Sequence, residues 1–142
     1  MALTLTRRRY SELRVASSSV DVCDTTNVTV TVTNSGHRNG SEVAQLYITN
    51  DTPKYSGQPR WALAGFERVD VGAGESKVVS FELPPLARAE VQDGDYARWV
   101  LPTSLTLHVG GGQPQQTATH TTANTLSAKL GVVGTAHPLD SC

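Results

Sequence analysis

The chain has 142 residues, a formal net charge of −1 and 38% hydrophobic residues. This length suits one domain with an extension, and the small net charge gives no bulk field that would favour nucleic acid or an anionic membrane. No apolar run approaches the ~18 residues of a membrane helix. Residues 1–6 are too few and too polar for the core of a signal peptide. The sequence therefore predicts no nucleic-acid partner, no membrane partner and no signal peptide in this chain.

The clearest periodic segment is residues 28–36. Val28, Val30 and Val32 alternate with threonines, and an Asn-Ser-Gly turn ends the run. Successive side chains of a strand point to opposite faces, so the valines share one face and the threonines share the other. This pattern predicts a half-buried antiparallel strand.

Short strands follow one another along most of the chain. They are predicted at residues 10–16, 28–33, 42–49, 63–71, 78–83, 96–101 and 105–109, the last two forming a hairpin around Pro102 and Thr103. Residues 86–93 suit a single helical turn or an irregular crossover. Turn signals about every 8 to 12 residues indicate an all-β fold, an immunoglobulin-like antiparallel β-sandwich of about seven strands.

Composition divides the chain into three parts. Residues 1–15 are a lead-in segment with the first strand, and residues 16–112 form the sandwich. Residues 113–142 begin as a spacer rich in Thr, Gln and Ala and end in a tail, where residues 126–133 could add an edge strand or pack on a partner.

No motif for catalysis, phosphate binding or metal binding is found. The four histidines are scattered, so neither a metal site nor a cofactor is predicted. Asp93 and Asp95 have a spacing that could suit the two carboxylates of glycoside hydrolysis, but their turn-like segment suggests no catalytic cleft. Glu42 and Glu90 are interpreted as surface residues, so no catalytic residue is assigned.

A long Pro/Gly-containing connection at residues 50–60 is the most promising surface for a partner. Tyr55 and Trp61, in or beside this loop, could stack on sugar rings, or Trp61 could cap the core or dock on a neighbouring domain. For Trp61, capping the core or docking is favoured over sugar stacking. The leading hypothesis places Tyr55, Trp61 and Leu63 near an exposed apolar patch that packs against a neighbouring domain. Three other aromatic residues are predicted to lie in the core, namely Phe66, Phe81 and Trp99.

Two further features concern covalent chemistry. Cys23 and Cys142 could form one long-range disulfide or remain free or otherwise paired thiols, and the sequence leaves both open. Three Asn-x-Ser/Thr motifs make Asn27, Asn39 and Asn50 candidate glycosylation sites if the protein is secreted.

Several segments together resemble one known family. They are EVAQLYI at 42–48, LAGFERV at 63–69 and GES at 74–76, preceded by VTVTNSG at 30–36 and followed by Trp99 and Val109-Gly110. In this order they are similar to the fibronectin type III-like domain at the C-terminal end of glycoside hydrolase family 3 enzymes, the β-glucosidases and β-xylosidases. The resemblance covers roughly residues 3–112.

The resemblance implies a non-catalytic module whose partner is the catalytic domain of a family 3 glycosidase. In that family the nucleophile and the acid/base residue belong to the upstream domains, so no catalytic residue carries over to this chain. The resemblance also implies that the parent enzyme is secreted. The alternative is a free-standing β-sandwich that binds carbohydrate or protein.

Overall fold

The computed structural model describes residues 8–54, 62–92, 94, 96–111 and 125–142, and these ranges are mainly β-structure. Helical structure in them is limited to α1 (Pro85–Arg88) and a 3₁₀ turn, Leu139–Ser141. Seven of the described strands have eight or more residues. Six of them match predicted strands; the predicted strand at 96–101 is only Arg98–Val100, and the seventh long strand is Leu126–Val133. The strands are β1 (Arg8–Val15), β2 (Ser19–Asp21), β3 (Thr26–Asn34), β4 (Gly40–Asn50), β5 (Ala62–Val71), β6 (Ser76–Leu83), β7 (Glu90–Val91), β8 (Arg98–Val100), β9 (Thr103–Gly110), β10 (Leu126–Val133) and β11 (His137–Pro138).

The long strands form two sheets around one apolar core. One sheet has the order β1-β3-β6 and the other the order β2-β10-β9-β4-β5. Val28, Val30 and Val32 of the first sheet and Leu46 and Leu107 of the second are all 0% exposed and belong to the same core cluster. The predicted sandwich and the alternation in β3 are therefore confirmed.

The predicted hairpin between residues 96–101 and 105–109 is wrong. Strand β8 pairs with β7 and β11 in a separate small sheet, whereas β9 pairs with β4 and β10. Only Leu101 and Pro102 separate β8 from β9. A two-residue hairpin turn favours residues with positive φ, which proline cannot adopt, so the chain crosses from one sheet to the other here.

Strand β10 lies inside the five-stranded sheet and contributes to the core. It pairs antiparallel with β9 on one side and parallel with β2 on the other. Its side chains Leu130 and Val132 are 0% and 3% exposed. The predicted extra strand is therefore present but is not an edge strand, because the three-residue β2, too short to be recognised from sequence, occupies the edge.

A disulfide joins Cys23 to Cys142 across 119 positions of the sequence, with a Cα–Cα distance of 5.1 Å. It anchors the segment from β11 onward beside the turn that follows β2. In this segment Leu139 packs against the core. Of the two alternatives that the sequence left open, the structure has the crosslinked one.

A buried polar cluster lies at the start of β1 and β4. Tyr10 Oη donates a 2.8 Å hydrogen bond to Glu42 Oε2, and the Arg8 guanidinium forms an ion pair with the same carboxylate. Glu42 is only 6% exposed, so its interpretation as a surface residue is wrong. Burial raises the pKa of Glu42, while the Tyr10 hydroxyl and the Arg8 charge oppose that rise.

A second buried glutamate, Glu90, holds the beginning of the long 50–60 connection, and its prediction as a surface residue is also wrong. Glu90 is 4% exposed rather than on the surface. Its carboxylate accepts hydrogen bonds from Asn50 Nδ2 at 2.9 Å and from the backbone N–H of Lys54 at 3.1 Å. A buried charge of this kind requires such partners, and they hold residues 50–54 against the domain.

Candidate functional site

An apolar surface lies on the outward face of the five-stranded sheet, where β4 pairs with the edge strand β5. Along β4, alternate residues point inward, so Val43, Gln45 and Tyr47 share the outward face. Their Cα partners on β5 are Arg68, Phe66 and Leu63 respectively. Val43 is 41% exposed, Leu63 52% and Phe66 66%. We call Val43, Leu63 and Phe66 the apolar face.

A local irregularity in β5 places two large side chains on the same side of the sheet. Leu63 and Phe66 are three positions apart, so a regular strand would point them to opposite faces. The register shifts between Leu46 and Tyr47 of the partner strand, and Ala64 is the extra residue of β5 at this point. Such a bulge reverses the alternation beyond it. Leu63 and Phe66 are therefore both directed outward.

The outward face of the three-stranded sheet has a different character. Along β3 it presents Asn27, Thr29, Thr31 and Thr33, which pair with Glu82, Ser80, Val78 and Ser76 of β6. Val78 is 70% exposed, but its cross-strand neighbour is a threonine. A single exposed apolar side chain such as Val78 is ordinary on a protein surface, whereas several on paired strands are a candidate interaction surface.

A polar network covers the other half of the five-stranded sheet. The Asp51 carboxylate accepts hydrogen bonds from Lys129 Nζ at 3.0 Å, Thr106 Oγ1 at 2.8 Å and Ser104 Oγ at 3.1 Å. Partial burial raises the pKa of Asp51, but these hydrogen bonds and the Lys129 charge outweigh burial and hold the pKa below its ordinary value. Thr49 and His108, which are 3.4 Å apart, add further polar groups to this part of the sheet.

Asp51→Asn is expected to lower the free energy of unfolding at neutral pH by at most about 1 kcal/mol, since Lys129 is largely exposed. The pKa of Asp51 is lower in the folded than in the unfolded chain, so this contribution is present above 3.8 and is lost as pH falls through the folded value. Urea unfolding at neutral pH and at about pH 3 measures the difference. The control Asp70→Asn removes an exposed carboxylate of β5, outside this network. An equal loss of stability from Asp70→Asn would contradict a stabilising role for the Asp51 hydrogen bonds.

Of the site residues predicted from the sequence, only some lie on the apolar face or within the described residues. Leu63 belongs to the apolar face, while Tyr55 and Trp61 lie outside the described residues, as do Asp93 and Asp95. Asn27 and Asn39 are exposed and Asn50 is partly buried.

Sequence reasoning missed Val43 and misplaced Phe66, which is exposed rather than in the core. Phe81 is buried as predicted, at 3%, and Trp99 is only partly buried. Gly65 beside Phe66 was the available signal, because an isolated glycine within a strand pattern often marks a bulge.

Chemical sites are not apparent among the residues with described positions. No group of three or more His, Cys, Asp or Glu side chains in these ranges is arranged to hold a metal ion. In the same ranges, none of the helices has the length and apolar character required to span a bilayer. What these residues provide is a two-sheet body with an apolar face on β4 and β5, which defines an all-β sandwich domain.

Comparison with known proteins identifies the family. Residues 42–113 match the Fn3-like family, the fibronectin type III-like domain, and the chain belongs to this family.

Relatives of known name are much longer enzymes. A β-xylosidase of Formosa agariphila is 34% identical over 110 residues, which cover 76% of this chain and 15% of that protein. The thermostable β-glucosidase B of Acetivibrio thermocellus is 37% identical over 87 residues, covering 61% of this chain and 11% of that protein. The chain therefore spans less than one-sixth of the length of these relatives.

Solved structures agree with this assignment. The β-glucosidase EmGH1 of Erythrobacter marinus superimposes with a TM-score of 0.78 and 28% identity, covering 90% of this chain and 16% of that one. The GH3 β-glucosidase of Bifidobacterium adolescentis has a TM-score of 0.67 and 25% identity, covering 87% of this chain and 17% of that one. The chain thus corresponds to the fibronectin type III-like domain of glycoside hydrolase family 3 enzymes.

Proposed function

We propose that this domain is a non-catalytic accessory module that docks through its apolar face on the catalytic part of a family 3 β-glucosidase or β-xylosidase. The observation that supports this most directly is the exposure of Val43, Leu63 and Phe66 on the paired strands β4 and β5. Fully burying a large apolar side chain contributes roughly 1.5 to 3 kcal/mol. These three side chains are 41 to 66% exposed, so contact with an apolar partner surface would gain a part of that amount from each.

The occupant of this face follows from the length of the relatives. The matched segment is 15% of the F. agariphila β-xylosidase and 16% of the E. marinus β-glucosidase chain, so most of each relative lies outside the region that this domain resembles. In such a protein the nearest large surface belongs to the same polypeptide. The docking partner proposed here is therefore the catalytic body of the parent enzyme.

The proposal extends to the cellular compartment. Disulfides persist in oxidising environments such as the secretory pathway and the cell exterior. The Cys23–Cys142 bond supports secretion of the parent enzyme. It supports no particular substrate.

A domain exchange tests the docking proposal. The matched segment of the A. thermocellus β-glucosidase B is replaced by this chain, and the half-life of the hybrid's β-glucosidase activity is measured at raised temperature. Replacing both Leu63 and Phe66 with threonine, which keeps β-propensity but removes apolar contact area, is expected to shorten the half-life at least roughly tenfold, a factor equivalent to about 1.4 kcal/mol.

Two comparisons make this result specific to docking. In the isolated 142-residue chain the same double substitution should change the free energy of unfolding by less than about 0.5 kcal/mol, because both side chains are exposed. Val78→Thr, on the polar face of the other sheet, should leave the hybrid's half-life unchanged. A hybrid that fails to assemble with the unaltered chain, or that loses as much from Val78→Thr, would contradict docking through β4 and β5.

A further inference from the structure

The three Asn-x-Ser/Thr motifs lie in three different environments, although the sequence makes them equivalent. N-linked glycosylation requires the side-chain nitrogen of the asparagine, and the folded protein must then accommodate a bulky sugar at that atom. The hydrogen bonds of each asparagine therefore distinguish a usable acceptor from a structural residue.

Asn50 is fully committed to the structure. Its Nδ2 donates to the buried Glu90 carboxylate at 2.9 Å, and its Oδ1 accepts from Thr103 Oγ1 at 2.8 Å and from the backbone N–H of Thr52 at 3.0 Å. The hydroxyl of Thr52, the third residue of the motif, lies 3.0 Å from Thr103 Oγ1. A sugar on Nδ2 would meet the buried carboxylate and break this network.

Asn39 presents the opposite arrangement. It is exposed in the loop before β4, and its Oδ1 accepts a 2.9 Å hydrogen bond from the backbone N–H of Ala73. Within the described part of the chain its Nδ2 has no hydrogen-bond acceptor. The bond to Oδ1 orients the side chain of this exposed residue. Asn39 lies just before the Gly40 end of β4, while Leu63 of the apolar face pairs with Tyr47 near the other end of that strand.

Asn27 is also exposed, but it lies within β3 and lines an open groove together with Phe66 and Glu82. A glycan there would stand beside the apolar face. A glycan at Asn27 would add a second sugar and also change the surroundings of the apolar face, so Asn27 is replaced in the experiment.

We propose that Asn39 is an N-glycan acceptor and that Asn50 is not. The donor is a lipid-linked oligosaccharide of the secretory pathway. Asn39 Nδ2 forms a bond to the anomeric carbon of the first sugar, the bond from that carbon to the polyisoprenyl pyrophosphate breaks, and one amide proton is released to a base of the transferase. The step involves no oxidation or reduction. This inference rests on the secretion proposed above and is independent of the docking proposal.

The test secretes the complete 142-residue chain, in the Asn27→Gln background, from yeast behind a cleavable leader. The folded, disulfide-bonded fraction is deglycosylated with a peptide N-glycosidase in heavy-oxygen water, and peptide mass spectrometry identifies the asparagines that carried sugar. The expected result is one glycan per molecule, at Asn39, and its complete loss on adding Asn39→Gln.

A second measurement examines the structural role of Asn50 without sugars. In unglycosylated chain, Asn50→Gln should lower the thermal unfolding midpoint, whereas Asn39→Gln should leave it almost unchanged. Sugar on Asn50 in the folded secreted fraction, or an unmodified Asn39 in that fraction, would overturn the proposal. Equal midpoints for Asn50→Gln and the unaltered chain would also overturn it.

Discussion

Replacing both Cys23 and Cys142 with serine is expected to lower the free energy of unfolding by about 4 to 5 kcal/mol. The disulfide closes a loop of 119 positions, and in the loop-entropy model a crosslink of that span restricts the unfolded chain by about this amount. Domains of this size are stable by roughly 5 to 15 kcal/mol, so the loss is a large part of the total. Chemical unfolding of both chains by urea measures it.

Dithiothreitol provides the matched control for this prediction. It should bring the unaltered chain to the stability of the double serine variant and leave the variant itself unchanged, because only the former has a crosslink to lose. Equal unfolding midpoints for the oxidised chain and the serine variant would show that the bond contributes nothing to stability.

Glu42→Ala is expected to cost about 3 to 5 kcal/mol of unfolding free energy, the usual effect of removing one partner from a buried ion pair. Arg8, whose side chain is 11% exposed, would keep its charge without this carboxylate. The buried Tyr10 hydroxyl would lose its 2.8 Å acceptor at the same time. Denaturant unfolding of the purified variant is the measurement.

Two milder substitutions separate the parts of this cluster. Tyr10→Phe removes one hydrogen bond to a charged group and should cost about 1.5 to 3 kcal/mol. Glu42→Gln keeps an acceptor for Tyr10 while removing the charge that faces Arg8, so its loss should lie below that of Glu42→Ala. If Glu42→Ala costs no more than an ordinary surface change, the cluster does not stabilise this corner of the sandwich.

Local sequence patterns were sufficient to predict a strand wherever one of its faces is exposed to solvent and the other is buried. Val28, Val30 and Val32 repeat with period two because β3 lies between water and the core, and this repeat is visible without knowledge of any partner strand. The family segments at 42–48 and 63–69 coincide with β4 and β5, so the class of fold and the family could be recognised from the chain alone.

Patterns were insufficient where the environment of a residue depends on a distant segment. Glu42 resembles a surface glutamate in sequence, and only the approach of Arg8 and Tyr10, more than thirty positions away, makes its burial possible. Asn39 and Asn50 share one motif, yet Glu90 and Thr103 engage only the second. Propensity and spacing contain no information about such partners.

By itself, the amino-acid order determined the all-β architecture and the positions of most long strands, because alternation and turn residues act through neighbours in sequence. Tertiary structure alone decided that Leu63 and Phe66 share the outward side of β5, because the bulge at Ala64 depends on register with β4. It also decided that Cys23 meets Cys142, because the return of β10 and β11 onto the sandwich brings these two distant residues together. Contacts of this kind are set by cross-strand pairing, which one strand's own residues do not specify.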